Sequence, residues 1–236
     1  MDNTSVEFRV IADIRTPFPT KFGIPRQAGL AEKAKGKIIF RPAFRSADAL
    51  RGLDGYSHIW LIWMFSESEN DGRFRPTVRP PRLGGNTRMG VFATRSTYRP
   101  NPVALSCVKI ESIEYDTPDG PVINVSGCDL MDGTPIFDIK PYLPFTDCRP
   151  DAKSGFAGDV FGHRLDVVFD VPESVLPEKD VLETLCEILA EDPRPSYQDD
   201  SERIYGFEFD GYEIGFCVDG QTLTVKRINK TNGGES

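Results

Sequence analysis

Between Arg75 and Pro102 the chain reads RPTVRPPRLGGNTRMGVFATRSTYRPNP. This segment holds six arginines (Arg75, Arg79, Arg82, Arg88, Arg95, Arg99), no lysine and no acidic residue. A guanidinium is a planar fork that meets a phosphate or carboxylate through two parallel bonds, whereas an ammonium is a point charge. A surface that needs only solubility has no reason to exclude lysine. The composition points to recognition of a flat anion, with RNA the leading ligand. The plainer alternative is a solvated loop whose arginines pair with surface carboxylates. Pro76, Pro80, Pro81, Pro100 and Pro102 stiffen the segment, and Gly84 and Gly85 allow another backbone to approach.

A second constellation is DLMDGTPIFDIKPYLPF (Asp129–Phe145). It suits a strand ending in a turn whose backbone faces a ligand; an ordinary strand, tight turn and Pro-rich connector would look the same. A third is the loop KFGIPRQAGL (Lys21–Leu30), where Arg26 and Gln27 taken alone are plain surface residues. The usual signatures of dinucleotide, phosphate-loop, serine-hydrolase and zinc-protease sites are missing. His58 lies in an apolar run and reads as a core histidine; His163 is a lone loop residue. Five scattered cysteines, never in a CxxC pair, read as reduced thiols in a cytoplasmic protein, and no metal site is expected.

The elements that must position these residues are mostly strands. Candidates are Glu7–Pro17, Gly36–Phe44, Tyr56–Phe65, Met89–Ser96, Val103–Asp116, Pro121–Gly133 and Leu165–Val171, with one short helix at Ser46–Leu53. Many strands at short spacing suggest a closed or nearly closed sheet. After Val171 the pattern changes. Val181, Leu182, Leu185, Ile188 and Leu189 mark one helix face, and Ile204–Phe209, Glu213–Val218 and Leu223–Arg227 form strands joined by two Asp-Gly turns. The expectation is a mainly β chain: a small single-sheet barrel over residues 1–171 and an α+β appendage over 172–236. The charge follows this division. Of a net −8, the stretch from Glu173 to Ser236 contributes fifteen acidic residues against six basic ones, leaving the rest near neutral. A polyanion responds to the patch it docks on, since screening acts over about 8 Å. No apolar run is long enough to span a membrane, and the N-terminal residues lack the pattern of a secretory signal.

Taken together, IPRQAGL, ALRGL, YSHIWLIW, the arginine segment, DLMDGTPIFDIKPYLPF and DPRPSY resemble the bacterial TsaA-type TrmO family, from about Phe8 to about Arg227. Members methylate the exocyclic nitrogen of threonylcarbamoyladenosine beside the anticodon of certain tRNAs, using S-adenosylmethionine. The resemblance implies a β-barrel, a homodimer and a tRNA partner. It places the cofactor against Pro25, Arg26 and Gln27, Ser66 and Glu67, Arg95, Ala104 (glycine in many relatives), and the turn Leu130, Met131, Asp132, Gly133 and Thr134. It leaves Arg75, Arg79, Arg82, Arg88, Arg99 and Arg194 for tRNA. Arg88 and Arg99, which flank the strand carrying Arg95, are the candidates for tRNA or substrate contact; one of the arginines is expected to read the threonyl carboxylate, and Asp132 is the candidate proton acceptor, with water as the alternative. A chain ending near Val171 is expected to fold and hold cofactor but to methylate tRNA poorly. Two other classes stay open: a non-catalytic S-adenosylmethionine sensor and a plain RNA-binding module.

Overall fold

Strand β3 (His58–Met64) alternates half-buried and buried residues along its length, the signature of a sheet with one face on a core. Its neighbours extend the sheet until it meets itself. The computed structural model describes residues 6–66, 73–80, 83, 87–159, 162, 164–194 and 200–231. Strands β1 (Ala12–Arg15), β2 (Lys35–Phe40), β3, β6 (Val103–Glu114), β7 (Val122–Ser126) and β8 (Pro135–Pro141) close an antiparallel barrel in the order β1-β2-β7-β6-β3-β8. Ile14, Ile38, Ile59, Leu61, Ile123 and Ile136 fill it and are fully buried. The two short strands β4 (Thr77–Val78) and β5 (Met89–Gly90) form a separate ribbon within the arginine segment.

A second sheet has the order β10 (Tyr205–Phe209), β11 (Tyr212–Asp219), β12 (Thr222–Lys230), β9 (Asp166–Phe169). Short helices α1 (Pro144–Asp147) and α2 (Phe156–Asp159) precede it, and α3 (Lys179–Ala190) packs Leu185, Ile188 and Leu189 onto it. Phe18, Ala31 and Ala34, from the loop between β1 and β2, belong to this same core, with Phe22 and Ile24 packed against them. Gly23 explains how closely they fit. It sits at φ +93°, and a Cβ there would lie 2.2 Å from the Phe207 ring. The loop carrying Pro25, Arg26 and Gln27 is thus moored on the C-terminal sheet as well as on the turn after the barrel strand Val122–Ser126, where Gly29 N–H donates to Gly127 O at 3.0 Å.

Four local expectations change. The stretch expected as a helix at Ser46–Leu53 is two 3-10 turns, because Gly52 at φ 86° interrupts it. Met89–Ser96 is strand only at Met89–Gly90 and then turns at Val91–Ala93. The strand expected at Leu165–Val171 pairs in parallel with β12 instead of joining the barrel. Pro135–Pro141, read as part of a connector, is the strand that closes the barrel, pairing with both β1 and β3.

Candidate functional site

One end of the barrel opens into a cavity of about 890 Å³. Its wall combines the end of β3 (Ile62, Trp63, then Phe65 and Ser66) with the start of β6 (Val103, Ala104, Leu105). These two strands are in register, Trp63 opposite Ala104. The β3–β8 ladder shifts register between Ile62 and Trp63, an irregularity of the kind that re-aims side chains beside binding sites. The moored loop adds Lys21, Ile24, Pro25, Arg26 and Gln27; the arginine segment adds Thr94, Arg95, Thr97, Tyr98 and Arg99; the turn after β7 adds Asp129, Met131 and Thr134.

Asp129 is the acidic side chain of this wall. The Trp63 indole N–H donates to Ser106 Oγ at 2.9 Å, and the Ser106 hydroxyl donates to Asp129 Oδ1 at 2.6 Å. Ser106 itself is buried. Burial pushes the Asp129 carboxyl up to about 6, while the Ser106 hydroxyl, the amides of Ala28 and Asp129 itself, and the nearby Arg95 charge hold it from rising further. A carboxylate near the operating pH, oriented by a buried hydroxyl and facing a cavity, has the properties of a general base.

Asp132, the candidate from the sequence, lies elsewhere in the turn. Its carboxylate accepts the Thr16 amide at 3.0 Å and an Arg15 N–H at 3.3 Å, and it does not line the cavity. Its own amide donates to Phe18 O, Gly133 N–H donates to Ile14 O, and Thr16 Oγ donates to Leu130 O. The turn is therefore laced to the end of β1. Of its five expected contact residues, Met131 and Thr134 line the cavity; Leu130 is core, and Gly133 supplies a φ of 74°. Nothing local in the sequence separates Asp129 from Asp132; the difference comes from Ser106 and Trp63, far away along the chain.

The other expected residues divide as follows. Pro25, Arg26, Gln27, Ser66, Arg95, Ala104 and Arg99 meet in the cavity wall, and Arg95 donates to the Gln27 side-chain oxygen. Arg75, Arg79 and Arg88 are exposed outside it. Glu67 and Arg82 lie outside the described residues. Arg194 is not a surface cation. Its side chain is 11% exposed, and its Nε and one terminal nitrogen donate to the Asp192 carboxylate at 2.9 and 3.1 Å. That pair locks Asp192 at φ 51° and presents the carbonyls of Asp192 and Arg194 to Arg26, which donates to both. Arg194 thus supports the cavity loop from behind.

Two stretches of the chain match known families. The N-terminal domain of tRNA-methyltransferase O matches residues 13–148, and the TrmO C-terminal domain matches residues 171–231. The chain belongs to the TrmO family. It is 42% identical over 205 residues to an Escherichia coli (strain K12) protein named tRNA (adenine(37)-N6)-methyltransferase, covering 84% of this chain and 86% of that one. It is 41% identical over 197 residues to a Pseudomonas aeruginosa protein named putative S-adenosylmethionine-dependent methyltransferase RcsF, covering 80% and 81%. A crystal structure of TrmO from Pseudomonas aeruginosa superimposes with a TM-score of 0.77 at 30% identity, over 96% of this chain and all of that one. The β-barrel with its C-terminal sheet is therefore the TrmO fold.

Proposed function

We propose that this chain is an S-adenosylmethionine-dependent tRNA methyltransferase acting on N6 of the adenine beside the anticodon, in its threonylcarbamoylated form. The observation that carries the reading is the cavity with Asp129 in its wall and arginines at its rim. The residues suit this cofactor. Apolar side chains (Ile24, Pro25, Ile62, Phe65) offer a slot for a purine, and Arg26 and Arg95 complement a carboxylate. Pro25, Arg26, Gln27, Ser66, Arg95, Ala104, Met131 and Thr134 would hold it. When bound, S-adenosylmethionine supplies an electrophilic methyl group.

The chain's own residues do the rest. The target nitrogen is urea-like, carries a proton and is a poor nucleophile. Asp129 accepts that proton as the nitrogen gains the methyl group; Ser106 and Trp63 fix the carboxylate; the Ser106 hydroxyl first, then the backbone amides and the Arg95 charge, favour its ionised form. Positioning of this kind contributes up to roughly 7–11 kcal/mol in well-oriented reactions. Arg99 donates to Thr94 O at 2.7 Å and lines the cavity while Arg88 does not, which supports Arg99 over Arg88 as the arginine that meets the threonyl carboxylate. The exposed arginines of the same segment suit the RNA backbone. The division of labour between barrel and appendage follows the change of sequence pattern near Val171, with Asp166–Phe169 counted with the second sheet it pairs in; a homodimeric assembly rests on the family resemblance, and a cytoplasmic location on the scattered, unpaired cysteines.

The test is nucleoside mass spectrometry after incubating the protein with S-adenosylmethionine and tRNA. The expected product is threonylcarbamoyladenosine heavier by one methylene, with no product from an unmodified transcript. Cofactor binding without transfer would leave the sensor reading in its place.

A further inference from the structure

The arginine segment carries a feature that charge recognition does not use. Phe74, Phe92 and Tyr98 are 58%, 71% and 47% exposed, although burying an aromatic ring is among the larger gains a fold can make. Phe74 precedes β4 and Phe92 follows β5, so both lie at the same end of this antiparallel ribbon. Strand β4 pairs with β5, Val91 N–H donates to Pro76 O, and the two rings meet with centroids 6.1 Å apart at an interplanar angle of 24°. Arginines interleave with them: the Arg99 guanidinium lies 5.9 Å over the Phe92 ring and that of Arg75 lies 5.9 Å over Tyr98. Arg99 also donates to the carbonyls of Val91 and Thr94, bracing the turn that displays Phe92. Tyr98 and Arg99 line the cavity, so this aromatic surface continues into its mouth.

We propose that Phe74, Phe92 and Tyr98, set among Arg75 and Arg99, form a stacking ledge for unpaired RNA bases next to the nucleotide that enters the cavity. The inference rests on the tRNA reading of the preceding section and assigns residues to it. Every base offers a π face, and arginine between aromatic rings matches the alternation of base and phosphate along a single strand. Charge selects this occupant over a second copy of the chain. From Arg73 to Pro102 there are seven arginines and no acidic residue, and a two-fold contact through this face would set arginines against arginines. An RNA loop brings the opposite charge.

The experiment uses the full chain and a threonylcarbamoylated anticodon stem-loop, with Phe92→Ala, Phe74→Ala and Phe92→Trp. RNA affinity is read by fluorescence anisotropy at several salt concentrations, cofactor affinity by calorimetry and assembly state by light scattering. Phe92→Ala should weaken RNA binding by roughly 5- to 150-fold, the range for loss of one base–aromatic stack. The salt slope should stay unchanged, because no charge is removed, and Phe92→Trp should restore affinity. An abasic nucleotide beside the target should weaken the parent protein but not Phe92→Ala further, as expected when both changes break one contact. Cofactor affinity should not move. Unchanged RNA affinity in Phe92→Ala and Phe74→Ala would overturn the ledge, and so would an alanine variant whose only change is dissociation of the assembly, which makes the face an interface between copies. A parent protein that binds the stem-loop but methylates nothing would refute the enzymatic reading, with the affinity series still deciding the ledge.

Discussion

Asp129→Asn separates a proton acceptor from a structural carboxylate, because the two roles predict opposite signs. The Asp129 carboxyl moves from an ordinary 3.8 to about 6 in the folded protein. The folded state therefore binds this proton more tightly than the unfolded chain. Stability that is fully present below about pH 4 is lost as the pH rises through about 6. At about 1.36 kcal/mol for each tenfold change in proton affinity, keeping Asp129 ionised at neutral pH costs the fold about 3 kcal/mol at most. Asparagine does not titrate. It can still accept the Ser106 hydroxyl, but it turns an amide toward the Ala28 N–H, a fixed penalty independent of pH.

The measurable quantity is the difference in unfolding free energy between variant and parent, followed by urea titration without cofactor. It should rise in the variant's favour by up to about 3 kcal/mol between about pH 4 and pH 7, whatever the fixed penalty. Turnover should move the other way. The parent's rate should climb with pH through about 6 and level off; the variant should lose that limb and fall by roughly 100- to 10,000-fold, the usual worth of a general base. Cofactor affinity should change little. Parental turnover in the variant, or a stability difference that ignores pH, would refute the assignment. A fall in cofactor affinity matching the fall in turnover would instead make Asp129 a cofactor ligand.

Other perturbations follow from the same contacts. Ser106→Ala removes the hydroxyl that lowers the Asp129 pKa and anchors the Trp63 indole, so the acid limb of the rate profile should move to higher pH with cofactor affinity within a few-fold of the parent. Gly23→Ala places a Cβ against Phe207 at a backbone angle that side chains resist; thermal unfolding should come several degrees earlier, from strain of roughly 1–3 kcal/mol, and calorimetry should show weaker cofactor binding. A chain ending at Val171 strips Phe18, Phe22 and Ile24 of their partners on α3 and the second sheet. Against the expectation from the sequence, it should bind cofactor poorly and aggregate, read by calorimetry and light scattering.

The strands most legible in the sequence were those whose pattern depends only on near neighbours: β3 with its alternation, the β10–β11–β12 meander with its Asp-Gly turns, and the face of α3. Strand β8 escaped because prolines bound it at Pro135 and Pro141, and proline reads as a breaker when its partners are unknown. In the fold, Pro135 opens the strand opposite Asp13, a first position where a missing N–H is tolerated. The cavity residues on loops were legible through resemblance alone: spacing gave Arg26 and Gln27 no role, and what places them is Gly23 against Phe207 and the carbonyls of Asp192 and Arg194.

The arginines show the limit most clearly. Their type and number reported an anion, but the geometry separates three tasks that composition merges. Arg95 and Arg99 line the cavity, one near Asp129 and one bracing the turn at its rim; Arg75 lies over an exposed ring; Arg194, outside the segment, is absorbed into the turn that supports Arg26. A guanidinium can grip a ligand, tune a neighbouring carboxylate or cap a carbonyl because its five donors and permanent charge suit all three. Which of these it does depends on what the fold sets within about 3 Å of each nitrogen, typical hydrogen-bond distance. Aromatic residues in the same segment face the same ambiguity. Tyr98 and Phe92 would read as buried core in another context; here they are displayed by a short ribbon beside an open cavity. Exposure that the fold maintains beside concentrated positive charge is the physical sign of a surface waiting for a polyanion with π faces of its own.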